Sequence, residues 1–248
     1  MASFAKFDSR PFLHSPILVE GLPGIGGVGK LAADFLAERM GARRMARIYS
    51  DHLPPHVRVD SDCRASLACH ELRYVKDVGG HDVVFLLGDY QGIGLDDQYI
   101  LSETVFRMLL EYDPYMIVAL AGYGFGEGSR VLGAVSDLSL KERMEGCGVT
   151  FVPGEPEGGI VGAAAALVGL GEAYGVDAVC LMGETSGNDA DPAAAARVAE
   201  SAAKILGVEV DVSALAESRD IDVEADMSGS DGPSYYGRFL ALSPVLYT

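Results

Sequence analysis

Apolar and polar positions along the chain fall into two periods. Short β-prone runs occur at PILVE (Pro16–Glu20), MARIYS (Met45–Ser50), DVVFLLG (Asp82–Gly88), YMIVALAGYG (Tyr115–Gly124) and VDAVCLMG (Val176–Gly183). The run over Asp82–Gly88 is continuously apolar, as expected of a strand covered on both faces. Helical spacing separates these runs. Leu31, Phe35 and Leu36 share one face of a predicted helix over Leu31–Met40, and Tyr99–Tyr112 reads as amphipathic. A small-residue helix is predicted over Ile160–Tyr174. Pro192 opens another over Ala193–Leu206, because proline suits the first helical turn. Between Asp51 and Lys76 the pattern predicts a loop and a hairpin.

The repeated unit is apolar strand, glycine loop, helix. It predicts an α/β fold with three α/β/α layers around a central, mostly parallel sheet. Glycine loops follow strands at Gly21, after Ala121, and at Gly88 and Gly183. Ligands of such sheets bind near the carboxyl ends of the strands, so these loops are expected along one edge. Residues 1–212 read as a single α/β domain. Residues 213–248 read as an acidic flexible tail, running through ESRDIDVEADMSGSDGPS to the apolar and aromatic end SYYGRFLALSPVLYT. A linker that ends in hydrophobic groups has the form of a tethered docking peptide.

Composition narrows the partners. A net charge of −17 over 248 residues argues against nucleic acid and against an anionic membrane surface, both of which need a Lys/Arg surplus. The most apolar stretch, Gly159–Gly171, is too short to span a bilayer, and no signal peptide is visible, so a cytoplasmic protein is expected. Cys63, Cys69, Cys147 and Cys180 form no C-x-x-C pair and are expected to be reduced thiols. His70 and His81 lie near Asp77 and Asp82 at spacings that match no metal motif. Neither a metal nor a cofactor is expected.

The stretch GLPGIGGVGK (Gly21–Lys30) satisfies two phosphate-binding patterns. Gly24, Gly26 and Gly29 form G-x-G-x-x-G, and Gly24–Lys30 forms G-x-x-x-x-G-K. The P-loop reading lacks the Ser or Thr that would hold magnesium, since position 31 is Leu. The dinucleotide reading places Asp51 after the second strand, but Pro54-Pro55 interrupts the βαβ unit. The glycines also suit a tight strand-to-helix turn with no ligand, or a helix start whose N–H groups take an anion beside Lys30. Asp89, Gln91, Glu184, Thr185 and Ser186 are candidates for a polar cleft at the strand ends. Asp89 with Glu184 would be its acid/base pair, while capping is the simpler use of Glu184, Thr185 and Ser186. No G-x-S-x-G nucleophile elbow occurs.

Taken together, EGLPGIGGVGKLAADFL (Glu20–Leu36), DVGGHDVVFLLGDYQG (Asp77–Gly92), AGYGFGEG (Ala121–Gly128) and GETSG (Gly183–Gly187) resemble the archaeal and bacterial branch of the proteasome assembly chaperone 2 family. The resemblance runs from about residue 15 to 207. It implies a nucleoside-phosphorylase-like α/β/α fold and homo-oligomers. It also implies binding to proteasome α-subunits through a C-terminal hydrophobic-Tyr-any tripeptide. Leu246-Tyr247-Thr248 matches that tripeptide, with Tyr247 as anchor, Leu246 in the adjacent apolar space and Thr248 supplying the carboxylate. Tyr235-Tyr236-Gly237 is a second, internal match. The alternative expectation is a phosphorylase- or hydrolase-like enzyme for a small phosphorylated or nucleoside-like substrate. It would use Gly26, Gly29 and Lys30 for an anion, and Asp89 and Glu184 for acid/base work.

Overall fold

The computed structural model describes residues 3–124, 128–156 and 158–218. The chain begins with β1 (Phe4–Phe7) and β2 (Ile17–Gly21), and a 3-10 turn over Ile25–Gly27 leads into α1 (Val28–Arg39). β3 (Arg43–Tyr49) and a hairpin of β4 (Val57–Val59) and β5 (Ala65–Leu67) precede β6 (His70–Val78) and β7 (His81–Gly88). The second half runs α2 (Leu95–Leu110), β8 (Met116–Tyr123), β9 (Val131–Val135), α3 (Lys141–Gly146) and β10 (Val149–Thr150). It ends with α4 (Ala163–Tyr174), β11 (Asp177–Glu184), α5 (Pro192–Ile205) and α6 (Ser213–Ala216).

Nine strands form one sheet in the order β1-β3-β6-β7-β2-β8-β11-β9-β10. The four central strands, β7, β2, β8 and β11, are parallel neighbours. The flanks are not: β6 is antiparallel to β7, β3 to β6, β1 to β3, and β9 to β11. The sheet is therefore mixed, with the expected parallel order held by its four central strands and by the short edge pair β9–β10. The reason is local on one side. Gly79 and Gly80, with φ of 56° and 92°, make a two-residue turn that returns the chain as a hairpin, with no helical crossover.

Alternation along the central strands builds two cores. Ile17 and Val19 of β2, Val83 and Phe85 of β7, and Val118 of β8 pack toward α1 and α5. Leu18, Val84, Leu86 and Ile117 pack on the opposite face, toward α2 and α4. Both faces are covered, which is why these strands read as unbroken apolar runs. Ser213–Ala216, assigned by composition to the tail, are helical, and Leu215 is buried in the α1/α5 core. Residues 219–248, with both candidate docking tripeptides, lie outside the described residues. Among the described residues, no helix is long and apolar enough to cross a membrane.

Candidate functional site

The parallel centre brings the glycine loops after β2, β7, β8 and β11 to one edge of the sheet, at the carboxyl ends of the strands. The loop after β2 is packed into that edge through its glycines. A β-carbon on Gly29 would sit 2.0 Å from the Leu120 carbonyl oxygen, so α1 rests directly on the β8 backbone. Gly26 and Gly27 have φ of 61° and 60°, and they turn the chain into the helix. Gly26 lies under the Thr185 side chain, and its carbonyl accepts from the Asp191 N–H at 2.9 Å, where α5 begins. Gly24 is different: its backbone is extended, and no atom of the described residues lies within 4 Å of the place a β-carbon would take.

Lys30 turns inward from the first turn of α1. Its ammonium donates to Asp34 Oδ2 at 3.0 Å, Asp89 Oδ1 at 2.9 Å and the Gly88 carbonyl at 3.2 Å. These three bonds match the three protons of an ammonium, so an incoming anion would have to displace one of the two carboxylates or the Gly88 carbonyl. Asp89 is shared with Arg58 Nη1 at 2.5 Å. Partial burial works against its charge, but Lys30 and Arg58 outweigh that and hold its carboxyl below the usual range. For Asp34 burial wins over Lys30, and its carboxyl is raised.

Glu184, at the end of β11, is buried and makes its own pair. Its carboxylate accepts from Arg130 Nη2 at 2.5 Å, Arg130 Nε at 2.9 Å and the Arg130 backbone N–H at 2.9 Å. The guanidinium bonds hold its pKa low. β2 and β8 lie between β7 and β11, so Asp89 and Glu184 end three strand spacings apart, roughly 14 Å at about 4.8 Å per strand. The structure does not bring them together as an acid/base pair. Each is an ionised carboxylate inside a separate ion pair.

The remaining candidates serve the loops. Gln91 donates to the Pro23 carbonyl and accepts from the Ala163 N–H at 3.2 Å, clipping the glycine loop to the start of α4. Thr185 Oγ1 accepts from the Gly187 N–H at 3.2 Å, and Ser186 is exposed. Asp51 follows β3, which β6 and β7 separate from β2, so the parallel neighbour that a dinucleotide fold needs beside β2 is β7 instead. His81 Nδ1 meets the Ser15 carbonyl at 3.0 Å, and Asp82 accepts from the His14 and Asp77 N–H groups. These contacts lie at the opposite end of β7. Among the described residues, no group of three or more His, Cys, Asp or Glu is placed to hold a metal ion.

This edge of ion pairs and tightly packed glycines belongs to a known architecture. The profile of the PAC2 family matches residues 18–224. The chain belongs to the PAC2 family. An uncharacterized protein of Methanocaldococcus jannaschii, MJ1210, is 32% identical over 211 residues, covering 84% of this chain and 80% of the relative. The crystal structure of Pyrococcus furiosus PbaB, an archaeal proteasome activator, superposes with a TM-score of 0.79 at 34% identity, covering 86% of this chain and 93% of that one. P. furiosus PbaA, an archaeal homolog of proteasome-assembly chaperone, gives 0.70 at 26% identity over 85% and 89% of the two chains. The mixed α/β sheet is thus the PAC2 fold, and the family is one of proteasome assembly chaperone homologues.

The burial of two polar groups of this PAC2 chain, Glu20 and His70, escaped the sequence reading. Glu20, 2% exposed, accepts from the Leu22 N–H at 2.9 Å through Oε1, while Oε2 has no hydrogen-bond partner among the described residues. Burial, against that one bond, pushes its carboxyl up to about 8. His70 is equally buried and donates from Nε2 to the Tyr90 carbonyl at 2.9 Å, leaving Nδ1 without a partner among the described residues. Burial takes its pKa down to about 4, against the Tyr90 bond. A signal existed for Glu20, a charged residue in a strand whose neighbours are all apolar.

Proposed function

We propose that this chain is a proteasome-binding chaperone or activator that docks on the α-ring of an archaeal core particle through a C-terminal hydrophobic-Tyr-any tripeptide. Its resemblance to an archaeal proteasome activator, at 34% identity over 86% of the chain, carries the reading, and the sequence ends in the matching Leu246-Tyr247-Thr248. In this mechanism Tyr247 fills a pocket between α-subunits, Leu246 covers the apolar wall, and the Thr248 carboxylate pairs with a cation. The α/β body acts as the scaffold. In a cytoplasmic homo-oligomer it would present several tails at once and gain avidity wherever their reach matches the pocket spacing.

The experiment is capture of archaeal α-rings by three chains: full length, lacking residues 246–248, and ending at Gly237. Loss of capture on removing Leu246-Tyr247-Thr248 is expected. Equal capture by the full-length chain and the chain lacking those three residues removes the role given to this terminus. Capture only by the chain ending at Gly237 transfers the role to Tyr235-Tyr236-Gly237.

A further inference from the structure

We propose that this chain carries a binding site for a free apolar α-amino acid, in a cavity between the sheet and the end of α2. The site is separate from the glycine loops and from the terminal tripeptide, and it does not depend on tail docking. The cavity has a volume of about 170 Å³. Its floor is Leu18, Met45, Leu72 and Val84, on the face of the sheet that α2 covers. Val105 and Leu109 of α2 form the opposite wall. All six are buried. Close-packed interiors hold few voids larger than a water molecule, and an empty apolar void forfeits contacts along its whole lining. An engineered apolar cavity of about 150 Å³ binds benzene. This one therefore has room for a single ring or a branched alkyl group, and none for a long acyl chain.

The charged side chains of the lining are Arg10 and Glu111, and both are exposed, so they mark the mouth. Among the described residues neither makes an ion pair. Asp8, the acid next to Arg10 in sequence, is taken by Arg44 Nε at 2.6 Å. The Arg10 guanidinium carbon stands 3.7 Å from the centre of the Phe7 ring. Such stacking holds the guanidinium by its face and leaves its N–H edge for a carboxylate. Glu111 follows the last residue of α2, where the helix dipole adds to its attraction for a cation.

The two charges select the ligand. An anion alone would satisfy Arg10 but would face Glu111 and the −17 of the whole chain. A cation alone would leave Arg10 unmatched. A zwitterion meets both, its carboxylate on Arg10 and its ammonium on Glu111, and its neutral sum escapes the repulsion. An α-amino acid carries these two groups on one carbon, beside a side chain that enters the cavity. Phenylalanine and leucine have the size the cavity admits. A polar side chain would lose its water against the apolar wall without gaining partners, which selects against aspartate and glutamine.

The test is saturation-transfer NMR of the full chain with phenylalanine and leucine at millimolar concentration, with calorimetry for the affinity. Binding of at least one of them is expected, and none of aspartate or glutamine. Phenylalaninamide lacks the carboxylate and N-acetylphenylalanine the ammonium, and each is expected to bind at least about tenfold more weakly than phenylalanine. R10Q and E111Q, at exposed positions, should cause losses of the same order in the protein. V105F fills the cavity and should abolish binding, with circular dichroism to show that it folds. No binding of either apolar amino acid overturns the site. Binding unchanged in both R10Q and E111Q overturns the mouth, and binding unchanged in a folded V105F overturns the cavity. N-acetylphenylalanine bound as tightly as phenylalanine overturns the amino acid as ligand and transfers the site to simple carboxylates.

Discussion

Replacing Glu20 with glutamine is expected to stabilise the protein, and to do so more as pH rises. Glu20 stands in a row across the sheet with Leu86, Ala119 and Cys180, on the face covered by α2 and α4. Its carboxyl rises from 4.5 in the free side chain to about 8 in the fold. The native state then keeps a proton that the unfolded chain has already released, so stability falls as pH climbs from 4.5 to 8. At about 1.4 kcal/mol per pH unit, the whole interval is worth up to about 5 kcal/mol. His70 works in the other direction. Its pKa falls from 6.5 to about 4, so its contribution is present above 6.5 and is lost as pH drops toward 4. Between 4.5 and 6.5 the two slopes oppose each other. Between 6.5 and 8 Glu20 acts without that opposition, and the loss is about 2 kcal/mol. Urea unfolding at pH 6.5 and pH 8 measures it. The unaltered chain should lose about 2 kcal/mol over that interval and E20Q much less, because glutamine keeps the acceptor for the Leu22 N–H and carries no charge. Parallel losses in the two proteins would refute the reasoning.

Three further outcomes follow from the same edge of the sheet. Gly29→Ala should cost about 3 kcal/mol or more in urea unfolding, because its β-carbon meets the Leu120 carbonyl, whereas Gly24→Ala, with open space around it, should change stability by less than about 0.5 kcal/mol. Lys30→Met keeps the aliphatic stem but leaves Asp34 and Asp89 facing each other without the ammonium. A loss of about 1 kcal/mol is expected, and thermal unfolding should show the deficit shrink in high salt. Gln91→Ala removes the clip between the glycine loop and α4, with an expected loss of about 1–2 kcal/mol and faster hydrogen exchange at Ala163.

How far these features could be read in advance depended on the distance over which each is decided. The buried strands over Ile17–Gly21, Met116–Tyr123 and Asp177–Glu184 were legible because cover on both faces leaves a continuous apolar run in the local sequence. Pro192 marked the start of α5 for an equally local reason, and Asp191 adds the cap, accepting from the Ala194 N–H at 2.8 Å. The antiparallel flanks were less legible, since β3 finds β6 across an intervening hairpin. Gly79-Gly80 was a readable turn signal for β6–β7. Asp89 and Glu184 were correctly placed at strand ends. Their separation, and their capture by Lys30 and Arg130, depend on strand order and on residues more than fifty positions away in the chain.

The glycine loop shows why a spacing alone could not decide its use. G-x-G-x-x-G describes any turn in which a strand enters a helix that presses against the neighbouring strand. A bound phosphate and a close backbone make the same demand, because each leaves no room for a β-carbon. What separates them is the atom that occupies the space. At Gly29 it is the Leu120 carbonyl and at Gly122 the Ile25 carbonyl, 2.0 and 2.2 Å from where a β-carbon would stand. At Gly24, the first position of both phosphate patterns, the space is open. The lysine follows the same logic, since its ammonium is directed to Asp34, Asp89 and the Gly88 carbonyl, all of the protein itself. Two of the three glycines and the lysine therefore have structural partners that account for them. If the proposed tail docking holds, Gly29→Ala is expected to disturb folding and α-ring capture together, and loss of Leu246-Tyr247-Thr248 to disturb capture alone; a single pair of measurements, urea unfolding and α-ring capture, checks both.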